Sequence, residues 1–180
     1  MIDETPKPGL NPRQIAEDLA LRKTLAVAEK TGTSRAVPPA AGARWIFGAD
    51  TIVVLDGEIF GKPADRAAAG VMLQRLAGRR HEVITAMALF NARENKTDCR
   101  SASSEVQFAP LTAGEIEWYL DSGEWQGAAG AYQLQKLGGC LVQSINGSPS
   151  GVAGLPLCDF YAMLRGNGYQ FGACEMRNEG

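Results

Sequence analysis

The run Trp45-Ile46-Phe47-Gly48-Ala49-Asp50-Thr51-Ile52-Val53-Val54-Leu55 is dense in β-branched and aromatic side chains, and Asp56-Gly57 follows at once. Such residues suit a pleated, half-buried surface, and Asp-Gly is a strong two-residue hairpin signal. The run is therefore predicted to be a strand that returns through Glu58-Ile59-Phe60. That commits the fold to a sheet. In the middle of the run stands Asp50. A carboxylate inside a buried strand is costly unless it is paired, hydrogen-bonded or bound to a metal. Two readings stay open: Asp50 faces water, or it belongs to a site. Gly48, two positions earlier, leaves room for a ligand or another backbone to come close.

Helix and strand signals alternate elsewhere, the pattern of an α/β arrangement. Asn11 can cap a first helix, Pro12 suits its first position and Gly32 its end. Residues 33–44, with Pro38-Pro39, read as a loop. A helix is expected over 65–76, with Asp65 near its start and Gly78 past its end. Strands are expected over 81–90, 103–108 and 140–145. Thr112 and Glu115 form a capping box for a helix ending near Gly123, and Leu155-Pro156-Leu157 opens a last helix reaching about Leu164. The remainder reads as a frayed tail. With 180 residues, 45% of them hydrophobic, a single domain over 1–180 with a sizeable core is expected.

Lys and Arg total 18 against 20 Asp and Glu, so no basic excess exists to grip a nucleic-acid backbone. The apolar stretch 45–55 is far short of the roughly 20 residues that a membrane-crossing helix needs. The acidic start, Met1-Ile2-Asp3-Glu4-Thr5-Pro6, lacks the design of a signal peptide. Cys99, Cys140, Cys158 and Cys174 are widely spaced, with no C-x-x-C pair, and read as reduced thiols of a cytoplasmic protein. The single histidine, His81, is the one available partner for a serine or cysteine nucleophile, and no nucleophile elbow accompanies it.

Further residues carry alternatives. Lys23 lies four residues after Leu19 and four before Val27, on an apolar stripe with Ile15 and Ala26. It is either a snorkelling edge lysine or a cation aimed at an anion. In strict hairpin register Lys62 would face Thr51, away from Asp50; Gly61 and Pro63 argue that register breaks and that Lys62 turns toward Asp50. Glu4 reads as a solvated terminal charge unless the fold recruits it. The stretch Gly127-Ala128-Ala129-Gly130-Ala131-Tyr132-Gln133-Leu134-Gln135 either packs under a sheet or brings Gln135 to a ligand.

Order decides more than any one piece. The string Asp3-Glu4, Lys23, Ala49-Asp50-Thr51, Gly61-Lys62-Pro63, Gly130-Ala131-Tyr132 with Gln135, then Gly154-Leu155-Pro156-Leu157 resembles the Maf family of nucleoside triphosphate pyrophosphatases. The likeness runs from residue 2 to about 164 and is densest over 48–83. It implies an elongated α/β fold like that of the inosine triphosphatase group, with flanking helices and a central groove along a mixed sheet. It implies hydrolysis of a nucleoside triphosphate between the α and β phosphates, with a divalent metal, Mg²⁺ or Mn²⁺. By resemblance Asp50 matches the general base, and Glu4 with Asp50 the metal-holding acids. Lys23 and Lys62 match phosphate-binding lysines, while Thr51 and Gln135 match positions tied to base choice, in the manner of the dTTP and UTP branch. The expected partner is the nucleotide, with neither nucleic acid nor membrane involved, and a homodimer is the assembly considered.

The sequence departs from the family pattern in several places. Family chains begin with a strand and a Ser-x-Ser-Pro-Arg-Arg phosphate loop, and here Met1 comes after that point. The expectation is either a misplaced start codon or a truncated relative, poorly stable and nearly inactive as written. The family usually has lysine where Ala128 stands and glycine where Lys136 stands, and Ser148-Pro149-Ser150 is also unusual. The competing expectation is a catalytically impaired relative that binds a nucleotide or a protein.

Overall fold

Asp56 and Gly57 turn the chain with φ values of 53° and 80°, the paired left-handed conformations of a type I′ turn. The strand β1 (Trp45–Leu55) therefore meets β2 (Glu58–Phe60) antiparallel, with Leu55 opposite Glu58 and Val53 opposite Phe60. There the ladder stops, as Gly61 and Pro63 foretold. These strands belong to a computed structural model that describes residues 4–30 and 45–171. The loop expected over 33–44, the Gly32 stop, Asp3, Cys174 and the tail beyond 171 lie outside the described residues.

On its other side β1 pairs with β3 (Arg80–Asn91), from Trp45 opposite Asn91 to Val54 opposite Glu82. β3 pairs along its length with β4 (Lys96–Phe108), and β4 with β5 (Val142–Asn146) across an irregularity at Gln107 and Phe108. The sheet order is β2-β1-β3-β4-β5. The α/β class is as expected. Among the described residues every strand pair is antiparallel; the tight turns at 56–57 and 92–95 require it for β1–β2 and β3–β4.

Helix α1 (Pro12–Lys30) starts on a reciprocal cap: Asn11 Oδ1 accepts from the Gln14 N–H, and Gln14 Oε1 accepts from the Asn11 N–H, both at 3.0 Å. It lies on one sheet face through Ala16, Ala20, Thr24 and Ala28, all fully buried. Opposite them Gly48 bares the β1 backbone; a Cβ there would sit 2.4 Å from Thr24 Oγ1. The expected stripe is corrected by this contact. Leu19 is buried, but Val27 is 43% exposed, because the close approach selects small residues one position along.

The other face carries the larger core. Helices α2 (Arg66–Leu76) and α3 (Ala113–Asp121) pack over Val53, Leu55, Val83, Val106 and Phe108. Asp65 caps α2, and the Thr112–Glu115 capping box forms on α3 as expected. Leu73 and Leu76 have no exposed surface; burying each contributes about 2 kcal/mol. A 3₁₀ segment, Leu137–Leu141, precedes β5, so that strand starts two residues later than predicted. Two short helices follow, α4 (Pro149–Val152), which the sequence did not reveal, and α5 (Leu157–Gly166). Among the described residues no helix is long and apolar enough to cross a membrane.

Candidate active site

β2 has three residues and β1 eleven, so one edge of β1 before Val53 faces no described strand. A cleft of about 370 Å³ opens there, lined by Lys23, Asp50, Thr51, Lys62, Gln133 and Gln135 among others. Five of the six residues singled out by sequence thus meet in one place. Glu4, the sixth, reaches it through ion pairs.

The α1–Gly48 contact sets Lys23 beside β1. Its ammonium bonds Asp50 Oδ1 and lies 3.0 Å from Glu4 Oε1. Glu4 Oε2 in turn lies 3.7 Å from Lys62 Nζ. The result is a chain of alternating charge, Asp50–Lys23–Glu4–Lys62. Burial works against the Lys23 ammonium, but hydrogen bonds and attraction from Asp50 and Glu4 outweigh it and hold its pKa above the ordinary value. The Lys23 hydrogen bond and charge hold the Glu4 carboxyl below the usual range.

These distances resolve several alternatives. The Asp50 side chain is 12% exposed and paired, so it does not simply face water. Lys23 is a cation aimed at anions. Lys62 leaves the hairpin register, but its ion pair is with Glu4.

The far wall is the loop after α3. Gly130, at φ 67°, would bring a Cβ within 2.9 Å of Val53 Cγ2, and its N–H bonds the Gly61 carbonyl at 3.1 Å. Glycine is required there for the loop to lie on β1. Ala128 lines the cleft at 8% exposure. Gln133 is tied by its amide N–H to the Glu124 carbonyl at 2.8 Å, whereas Gln135 is exposed at the cleft. Tyr132 bonds His81 Nε2 through its hydroxyl at 2.9 Å. His81 is buried, with its pKa pushed down to about 4 by desolvation. It is a neutral member of the core, and its hydrogen-bond partner is a tyrosine rather than a nucleophile.

The sequence did not reveal Thr85 and Gly151. Thr51 Oγ1 lies 2.8 Å from Thr85 Oγ1, which donates to the Gly151 carbonyl at 2.8 Å. Gly151 is 66 residues from Thr85, and no local pattern connects them.

The arrangement suits a phosphate ester. The cleft combines charged groups (Lys23, Asp50, Lys62) with neutral hydrogen-bonding groups (Thr51, Gln135). Among the described residues no group of three or more His, Cys, Asp or Glu gathers as a metal cage. Asp50 and Glu4 nevertheless turn oxygens onto one cation, the Lys23 ammonium. Two hard oxygen donors fit a divalent ion that takes its other ligands from water and phosphate.

The chain also matches known proteins along most of its length. The Maf-like protein family model matches residues 1–167. A dTTP/UTP pyrophosphatase of Geobacter metallireducens is 42% identical over 164 residues, covering 91% of this chain and 80% of that protein. One from Symbiobacterium thermophilum is 42% identical over 168 residues, covering 93% and 80%. Another, from Shewanella oneidensis, is 44% identical over 163 residues, covering 91% and 79%. With a match of that extent and a cleft assembled from the expected residues, the chain belongs to the Maf-like protein family.

Proposed function

We propose that this protein hydrolyses nucleoside triphosphates to the monophosphate and pyrophosphate, with dTTP and UTP as its preferred substrates. The observation that carries the reading is the alternating-charge chain set beside a neutral hydrogen-bonding pocket in one cleft. The names of the relatives point to the same substrates.

In this reading the triphosphate lies at the charged end and the base at the neutral end. Asp50 orients water for in-line attack on phosphorus and takes its proton. Lys23 and Lys62 stabilise the charge that builds on the departing pyrophosphate. A divalent ion such as Mg²⁺ or Mn²⁺, held by Asp50 and Glu4, supplies further charge neutralisation on the phosphate oxygens when bound. Lys23 is then free to turn from the carboxylates to the phosphates. Thr51 and Gln135 choose the base. The protein works in the cytoplasm on free nucleotide, with a homodimer as its assembly.

Pyrophosphate release from a nucleotide panel tests the reading. Asp50→Asn, isosteric but unable to take a proton, should lose nearly all hydrolysis and keep nucleotide binding. Turnover within about tenfold of the parent, a barrier change below about 1.4 kcal/mol, would overturn the role of Asp50. Nucleotide binding without pyrophosphate release from any substrate would favour the impaired relative instead.

A further inference from the structure

Thr51 and Thr85 face each other across the β1–β3 ladder, their hydroxyl oxygens 2.8 Å apart. That separation alone leaves the donor open. The next link settles it. Thr85 Oγ1 also lies 2.8 Å from the Gly151 carbonyl oxygen, and a carbonyl oxygen only accepts. The single Thr85 proton is therefore engaged by Gly151. Two hydroxyl oxygens at 2.8 Å with no proton between them would repel, so Thr51 must donate to Thr85. Thr85 is 1% exposed, which leaves no solvent to supply another arrangement. What Thr51 turns toward the cleft is lone pairs alone.

We propose that Thr85, anchored on the Gly151 carbonyl, is a positioning residue that fixes Thr51 as a pure hydrogen-bond acceptor and so selects a pyrimidine carrying a ring N–H. The inference rests on the pyrimidine triphosphate reading above. Uracil and thymine present the imide N3–H between two carbonyl oxygens. Cytosine presents a bare N3 acceptor at the same place. An acceptor facing an acceptor leaves both groups unpaired in a part-buried cleft, the kind of mismatch that discriminates strongly. Gln135 can donate and accept at once and so serves the flanking carbonyl, but it cannot by itself tell the two bases apart, because its amide can flip. Gly154, at φ 111°, keeps the space before Thr51 clear; a Cβ there would stand 3.7 Å from Thr51 Oγ1.

The test is kcat/KM for UTP and CTP in the full chain, in the parent, Thr85→Val and Thr85→Ser. Thr85→Val removes the hydroxyl that engages Thr51, whose proton can then rotate toward cytosine N3. The UTP-over-CTP ratio should fall by at least about tenfold, and Thr85→Ser, which keeps the hydroxyl, should retain the parent ratio. A merely structural role would lower both substrates together and leave the ratio unchanged, which overturns the proposal. Should Thr85→Val fail to melt cooperatively, N3-methyl-UTP on the parent decides. It lacks the ring N–H, and turnover equal to that of UTP would overturn the proposal, whereas a loss of about tenfold or more supports it. If the parent releases pyrophosphate from no triphosphate, the functional reading has failed and this inference falls with it. If UTP is turned over and only the ratio fails to move, the inference alone is wrong.

Discussion

His81 shows how one side chain sets a pH limit on the whole protein. Its Nε2 is bonded to Tyr132, its Nδ1 is buried with no hydrogen-bond partner among the described residues, and the rings of Phe108 and Tyr132 stand edge-on to it. Burial pushes its pKa from 6.5 down to about 4. The unfolded chain accepts this proton near 6.5 and the folded chain only near 4, so the unfolded state holds more protons in between. Stability from this group is therefore complete above 6.5 and is lost as pH falls toward 4, by about 3 kcal/mol in all. Urea unfolding across that window should give a steeper loss for the parent than for His81→Phe. Parallel pH slopes for the two would show that His81 takes up no extra proton on unfolding.

At the scale of elements, the contact between α1 and β1 links stability to the site. A Cβ on Gly48 would meet Thr24 Oγ1 at 2.4 Å, the Thr24 nitrogen at 3.2 Å and the Ala20 carbonyl at 3.3 Å. Two of those atoms are backbone, so α1 itself must shift. Gly48→Ala should cost about 1 to 3 kcal/mol and should also reduce turnover, because α1 carries Lys23 away from Asp50. Gly114→Ala, on α3 with nothing among the described residues within 4 Å, is the control that should leave turnover unchanged and not lower stability, a helical Gly→Ala adding up to about 1 kcal/mol. Wild-type stability in Gly48→Ala would show that the helix is not held so closely.

This contact also explains what could be read in advance. Asn11, Asp56-Gly57 and Thr112 with Glu115 act on residues within about one turn of themselves, and each forms as the sequence indicates. The small-residue face of α1 could not be read that way, because Ala20 and Thr24 are chosen by a glycine in a different element. The first half of β4, Lys96-Thr97-Asp98-Cys99-Arg100-Ser101-Ala102, is polar and carries little strand signal; β3 pairs with all of it. Four site residues were legible as charges in a particular order, but the ion pairs between them, and the Thr85–Gly151 link, exist only once the sheet is formed.

On the scale of the whole molecule, the sheet order β2-β1-β3-β4-β5 places the cleft where a short strand ends beside a long one. The position leaves β1 open to a ligand without breaking the ladder to β3 that supports it. Among the described residues, the same cleft holds the ammonium groups of Lys23 and Lys62 against the carboxylates of Glu4 and Asp50, and these four charges sum to zero. The chain as a whole carries −2. These four side chains by themselves therefore offer an approaching triphosphate no net positive field. Proteins that do steer charged ligands gain roughly 10- to 1,000-fold in encounter rate and lose it in salt. Stopped-flow association of a fluorescent UTP analogue should instead vary by less than about threefold between about 0.05 and 0.5 M salt, since screening has little long-range attraction to remove. A tenfold slowing over that range would reveal a positive potential that these four side chains do not supply. On the function proposed above, arrival is then a matter of unguided diffusion, and the ion pairs among these four side chains change partners after the nucleotide has touched the cleft.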